Sequence, residues 1–154
     1  MKLSTRVRYG VRAMVELAKQ PAGEAVALRA LAENQGISPK YLEQMVSALK
    51  VGGLLESVRG ADGGYRLARP ADQITVWDVY RVLDAAADPI DCLAAKCERK
   101  AFCSASRLWR SMAEAIEAIL RRQTLQELAD EEQVLEAQAK GEKSGRSGRA
   151  NWTR

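Results

Sequence analysis

Apolar residues recur along the first fifty positions at the three-and-four spacing of a helix, and glycines interrupt the pattern. Val7, Val11, Met14, Val15 and Ala18 form one stripe over residues 4–19, with Ser4 or Thr5 as its cap and Pro21 and Gly23 at its end. Leu28, Leu31 and Ala32 mark a second, shorter helix over 28–35, stopped by Gly36. Ser38 is a good N-cap, and Pro39 suits the first helical position, where its missing N–H costs nothing. A third helix therefore runs from Pro39 to Val51 and ends at Gly52-Gly53. It buries Leu42, Met45, Val46 and Leu49 and leaves Ser38, Lys40, Tyr41, Glu43 and Gln44 on an exposed N-terminal face. Residues 54–58 and 65–68 then read as two short strands around the turn Arg59-Gly60-Ala61-Asp62-Gly63-Gly64.

The helical period returns at Thr75. Thr75 and Asp78 form a capping box, with Ile74 and Val79 as a hydrophobic staple. Val76, Val79, Tyr80 and Leu83 give the buried face, and the helix is predicted to end near Ala87, before Pro89; Trp77 reads as packing. Residues 104–123 carry the strongest helical pattern. Leu108, Trp109, Met112, Ala113, Ile116, Ile119 and Leu120 make a wide apolar band, with Arg110/Glu114 and Glu117/Arg121 as pairs one turn apart. Such a helix is about 30 Å long, more than the preceding unit can cover. The band is therefore expected to meet its own copy in a two-fold dimer. Thr124 caps a last helix over 125–138, and a Gly/Ser/Arg tail without periodicity follows, expected to be disordered.

The predicted fold is mostly α with a small β-hairpin wing: a winged helix-turn-helix plus a long dimerisation helix. Residues 1–70 form the winged unit, 71–138 the cysteine segment and dimerisation helices, and 139–154 the basic tail. In a helix-turn-helix, the first residues of the second helix meet base edges in the major groove. Arg59 stands where a wing reaches the minor groove. Gly63-Gly64 is no phosphate-binding loop, because no Gly-Lys-Ser/Thr follows and no helix opens there.

Charge supports a polyanion partner. The net charge of +4 is unevenly distributed. Residues 1–70 carry 11 Lys and Arg against 6 Asp and Glu, residues 71–139 carry 8 against 13, and residues 140–154 carry 5 against 1. A basic front suits double-stranded DNA, and Arg6, Arg8 and Arg12 near the start of the first helix are candidate phosphate contacts. With 47% apolar residues the chain can build a core, yet no apolar run spans a bilayer and no secretory signal opens it; a cytoplasmic location is expected.

Cys92, Cys97 and Cys103 are the only cysteines, gathered between the two halves of the chain. An odd count in a cytosolic protein points to metal binding or redox chemistry rather than a disulfide framework. Histidine is absent, which removes Ser-His-Asp and Cys-His catalysis and every imidazole zinc site, and no enzyme activity is expected. Thiol oxidation is one reading, since the cations Lys96, Arg99 and Lys100 stand beside the thiols. A three-cysteine zinc site with an outside ligand is another, and three inert thiols a third.

Four features together resemble the IscR/NsrR/RirA regulators, the Rrf-two superfamily of bacterial winged-helix transcription factors. They are Leu3 with Arg8-Tyr9; Gly36-Ile37-Ser38 with Tyr41-Leu42-Glu43-Gln44; Ser57-Val58-Arg59-Gly60 with Gly63-Gly64-Tyr65; and three cysteines before a long helix. The resemblance covers residues 1–138. It implies a homodimer on a roughly palindromic operator, with Glu43 and Gln44 reading bases and Arg59, beside Gly60, serving the wing. A carboxylate such as Glu43 accepts from cytosine N4 and repels phosphate, so it adds selectivity. The resemblance also implies an iron–sulfur cluster, 2Fe–2S or 4Fe–4S, held by Cys92, Cys97 and Cys103, through which the regulator senses redox, nitric oxide or iron status. The chain departs from the family at the fourth ligand. Ser106 stands where IscR-type members have histidine, and Arg8 where NsrR-type members have an acid. Ser106, Glu98, Asp91, water or a small thiol are the candidates for that position. The cluster-free alternative is a thiol-redox regulator of the same fold.

Overall fold

The Ser4 hydroxyl accepts the Val7 N–H at 3.2 Å and opens α1 (Thr5–Ala18) at the predicted cap. The structure, a computed structural model, describes residues 4–60, 63–84 and 102–146, the last six as backbone only. Helix α1 buries Val7, Met14 and Val15 as its stripe predicts, together with Gly10, Ala13 and Leu17. α2 (Leu28–Gln35) ends at Gly36, whose φ of 64° is left-handed and therefore suits glycine. The N–H groups of Gly36 and Ile37 donate to Glu33 and Ala32 carbonyls at 3.0 and 3.1 Å. α3 (Pro39–Val51) follows, with Leu42, Met45, Val46 and Leu49 fully buried.

The hairpin pairs β1 (Leu55–Val58) with β2 (Gly64–Leu67), Leu55 opposite Leu67 and Val58 opposite Gly64. Val26 extends it by one bridge, exchanging two 2.9 Å hydrogen bonds with Tyr65. A 3₁₀ turn (Ala71–Gln73) leads to α4 (Val76–Leu83). Its capping box is present: Thr75 Oγ1 accepts the Asp78 N–H at 3.2 Å, and the Asp78 carboxylate accepts the Thr75 N–H at 3.0 Å. Ile74 and Val79 are both fully buried. The helix ends at Leu83, not near Ala87. Asp84 leaves helical space at φ −117° and ψ 84°, and an acid is disfavoured at the negative end of a helix. Trp77 is core, as expected: it stacks on Tyr80 at 5.4 Å, and the Arg121 guanidinium lies 5.4 Å from its ring centre.

α5 (Ser104–Arg122) and α6 (Leu125–Arg146) complete the described residues. A second capping box opens α6: Thr124 Oγ1 accepts the Glu127 N–H at 3.2 Å, and the Glu127 carboxylate accepts the Thr124 N–H at 2.9 Å. That backbone hydrogen bond holds Glu127 below the usual carboxylate range. The two capping boxes adjoin. Val76 N–H donates to Gln123 O and Leu125 N–H to Ile74 O, both at 2.9 Å, so the start of α4 is tied to the end of α5. The chain between them, which holds the cysteines, leaves from α4's other end and returns at the start of α5.

The apolar band of α5 divides into two faces. Ala113 is buried, and Trp109, Ile116 and Leu120 are half-buried on the inner side. Leu108, Met112, Ala115 and Ile119 are exposed along an outer seam. Only the inner face is needed within one chain, which corrects the expectation of a single band. Glu117 and Arg121 pair at 2.7 Å, whereas Arg110 and Glu114 do not.

α6 also departs from expectation. The sequence predicts an end near 138 and a disordered tail from 139, but the helix continues to Arg146. Residues 131–140 are mostly Glu, Gln, Ala and Lys, strong helix formers, and Lys140 stands one turn from Glu136. Lys19, at the end of α1, clamps this helix through Glu136 at 2.7 Å and Glu132 at 3.7 Å, while also meeting Glu16 at 3.3 Å. Burial pulls the Lys19 ammonium down, but the three carboxylates outweigh it and leave its pKa above the ordinary value. The hydrogen bond from Lys19 holds Glu136 below the usual carboxylate range. Stabilisation from Glu136 is therefore present above the ordinary carboxylate value and lost as pH falls through its lowered one; that from Lys19 is present below the ordinary lysine value and lost as pH rises through its raised one. We expect α6 ellipticity to plateau between these limits and decline at both, and Lys19→Met to flatten the alkaline decline. An unchanged alkaline limb in Lys19→Met refutes the clamp.

Among the described residues no helix is long and apolar enough to cross a membrane. The arrangement is a winged helix-turn-helix, with α2 and α3 as the helical pair and β1-β2 as the wing. α1 packs against α2, α3, β2, α4 and α6 and so connects the two halves.

Candidate nucleic-acid interface and cysteine segment

Helix α3 presents Lys40, Glu43 and Gln44 to solvent, because its apolar positions face the core and leave these on the opposite side. Ser38 is exposed, but its oxygen already accepts the Tyr41 N–H at 3.2 Å, so it fixes the start of the helix and keeps only its O–H to offer. Tyr41 differs from the expectation of full exposure. It is half-buried, with its ring edge-on to Tyr9 of α1 at 6.3 Å and 88°. The Arg12 guanidinium lies 5.5 Å from the Tyr9 ring centre, so a cation of α1 is stacked beside the beginning of α3. Arg6 and Arg8 are exposed on the same helix, and Arg8 donates to Thr5 Oγ1 at 3.5 Å.

The wing is joined to α3 by Lys50, whose Nζ donates to Ser57 Oγ at 2.9 Å. Arg59 follows β1 directly and is exposed. Gly60 has φ 118°, a value favouring glycine, and its carbonyl accepts the Gly63 N–H at 3.1 Å. The two residues of the turn between them lie outside the described residues.

Of the cysteines, Cys103 is described, and Cys92 and Cys97 lie outside the described residues, as do Asp91, Glu98, Lys96, Arg99 and Lys100. Cys103 holds the N-cap position of α5, half-buried, yet its side chain makes no capping hydrogen bond. Its sulfur is thus left available as a ligand, a position where most caps would spend their side chain on the helix. It opens on a cleft of about 680 Å³ lined by Ser104, Ser106, Arg107, Arg110 and Glu114. Ser106 Oγ donates to the Cys103 carbonyl at 2.7 Å, so as a fourth ligand it gives up that bond. Among the described residues no three Cys, Asp or Glu side chains converge on one point.

The Tyr9–Tyr41 contact, the Lys50–Ser57 tie and the close approach of Leu83 to Gly10 and of Val82 to Gly52 are not among the expectations from the sequence. Gly10 carried a signal: an isolated glycine inside a helical pattern usually has a packing reason.

The family Rrf2, described as an iron-dependent transcriptional regulator, matches residues 3–131. The HTH-type transcriptional regulator IscR of Vibrio atlanticus is 40% identical over 137 residues, 88% of this chain and 79% of that protein. The HTH-type transcriptional regulator CymR of Bacillus subtilis is 39% identical over 129 residues, 84% and 90% of the two chains. The solved structure of CymR, the global cysteine regulator of B. subtilis, superposes with a TM-score of 0.72 at 36% identity, covering 84% of this chain and 97% of that one. The structure of T. potens IscR superposes with a TM-score of 0.72 at 38% identity, covering 87% and 90%.

Proposed function

Because the chain belongs to the Rrf2 family of transcriptional regulators, we propose that it binds operator DNA as a homodimer and senses redox, nitric oxide or iron status through an iron–sulfur cluster on Cys92, Cys97 and Cys103. The observation that carries the sensor reading is Cys103. It sits at a helix N-cap without capping, and its two companions lie in the connection that ends there. Thiolates are the soft ligands such clusters need, and the start of α5 favours a net negative group. A bound cluster supplies a centre that oxidants and nitric oxide attack and that iron supply limits.

The DNA reading assigns Glu43 and Gln44 to base edges, Lys40 and the α1 arginines to phosphates, and Arg59 to the minor groove, with Gly60 allowing close approach. Ser38 and Tyr41 hold the start of α3 in place. The connection between α4 and α5 changes its arrangement as its thiolates gain or lose their ligand, and the recognition helices of the two protomers shift relative to each other.

Anaerobic reconstitution with ferrous iron and sulfide tests the reading. The protein is expected to gain visible absorption that the triple Cys→Ala variant lacks, and to retard a duplex selected from a random pool in a salt-sensitive way. Gln44→Ala or Arg59→Ala is expected to weaken that binding by about 5–100-fold. A colourless, iron-free protein sinks the cluster; if mild peroxide then converts the thiols reversibly, the cluster-free thiol-redox reading takes its place.

A further inference from the structure

The last turn of α4 rests on two glycines. Gly10 lies inside α1, where glycine weakens a helix relative to alanine. Gly52 caps α3 at φ −72° and ψ 0°, a conformation any residue adopts. Neither backbone requires glycine, but the space does. A β-carbon on Gly10 would collide with Leu83 Cδ1, and one on Gly52 would lie 2.6 and 3.0 Å from the two Val82 methyl carbons. Two consecutive side chains therefore sit on bare backbone in two different helices. Leu83 touches α1 next to Tyr9, whose ring meets Tyr41 at the start of α3. Val82 touches the residue that ends α3. Immediately after them, at Asp84, the chain leaves α4 for the cysteine segment.

We propose that Val82 and Leu83 are positioning residues that carry the state of the cysteine segment to both ends of the recognition helix. The proposal rests on the reading of that segment as the sensor. A small turn of the end of α4 presses on backbone at both contacts, with no flexible side chain on the glycine side to absorb it. Packed contacts of this kind hold discrete arrangements rather than deforming continuously. The other end of α4 is held by the paired capping boxes, so within α4 the last turn is the part free to follow the cysteine segment.

The test uses the full chain in two states, cluster-free and reconstituted with ferrous iron and sulfide, on a duplex selected by the wild type. If the wild type takes up no cluster, the two states are reduced and peroxide-treated. Wild type and the exposed control Arg81→Ala are expected to differ about tenfold in affinity between states, a usual size for coupling between sites. Val82→Ala, at a half-buried position, is expected to bring the two states within about twofold at unchanged absorption per protomer, and the isosteric Val82→Thr to restore the difference. Should Val82→Ala fold poorly, Gly52→Ala decides: it pushes the turn away and is expected to shift the affinity of the cluster-free form. A full wild-type difference in Val82→Ala, or an unshifted Gly52→Ala, overturns the proposal and leaves the sensor reading intact. A wild type whose affinity is the same in both pairs of states overturns this proposal, whereas absent absorption alone overturns only the cluster.

Discussion

Replacing Leu108 and Ile119 together by glutamate is expected to give a folded monomer whose operator affinity falls by about 100-fold or more. These residues are 56% and 66% exposed, and with Met112 and Ala115 they recur at helical spacing along one side of α5. The inner side of the same helix already packs on α4, so the outer seam contributes less to the fold of one chain. In a two-fold arrangement each residue occurs twice, and burying what is still exposed of four such side chains contributes about 4–7 kcal/mol. Glutamates at these positions remove that contribution and add like charges facing each other. Linked binding to two half-sites exceeds single-site affinity by about 10²–10⁴, and a monomer forfeits it. Sedimentation velocity and gel retardation read the two effects separately. A double variant that still sediments as a dimer shows that the seam is not the interface.

Leu125→Ala is expected to cost about 2–5 kcal/mol of unfolding free energy, the range for a fully buried leucine. Leu125 is fully buried at the start of α6, and its N–H binds the Ile74 carbonyl where the two capping boxes meet. The loss is a large share of the roughly 5–15 kcal/mol that stabilises a domain. Denaturant titration measures it as a lower midpoint at unchanged slope. A cost under about 1 kcal/mol, the level of most surface substitutions, contradicts a role for the joint in the core.

Features governed by neighbours along the chain are legible in the sequence. Ser4, Ser38 and Thr75 are all readable as caps because a cap is a local hydrogen bond, and the staple of Ile74 and Val79 needs one turn of chain. The exposure of Lys40, Glu43 and Gln44 follows from the period of α3. Tertiary partners are not legible in this way. Tyr41 belongs to the polar side of α3 by spacing, but Tyr9 of another helix half-covers it. The apolar band of α5 cannot be divided into inner and outer faces without the position of α4. Lys19, which anchors the last helix at Glu132 and Glu136, lies more than a hundred residues away from them in the chain. Gly52 resembles an ordinary helix stop, while its contact with Val82 depends on how α4 crosses α3.

The bridge between Thr75 and Thr124 closes a loop of about 50 residues containing every cysteine, and loop closure entropy grows only logarithmically, by about 0.6 kcal/mol per doubling of length. Adding or deleting a residue between the cysteines therefore changes the entropy of closure very little. The closure that joins α4 to the end of α5 therefore sets no narrow limit on the spacing among the three thiols. The four residues between Cys92 and Cys97 are thus a length that closure of this loop does not dictate.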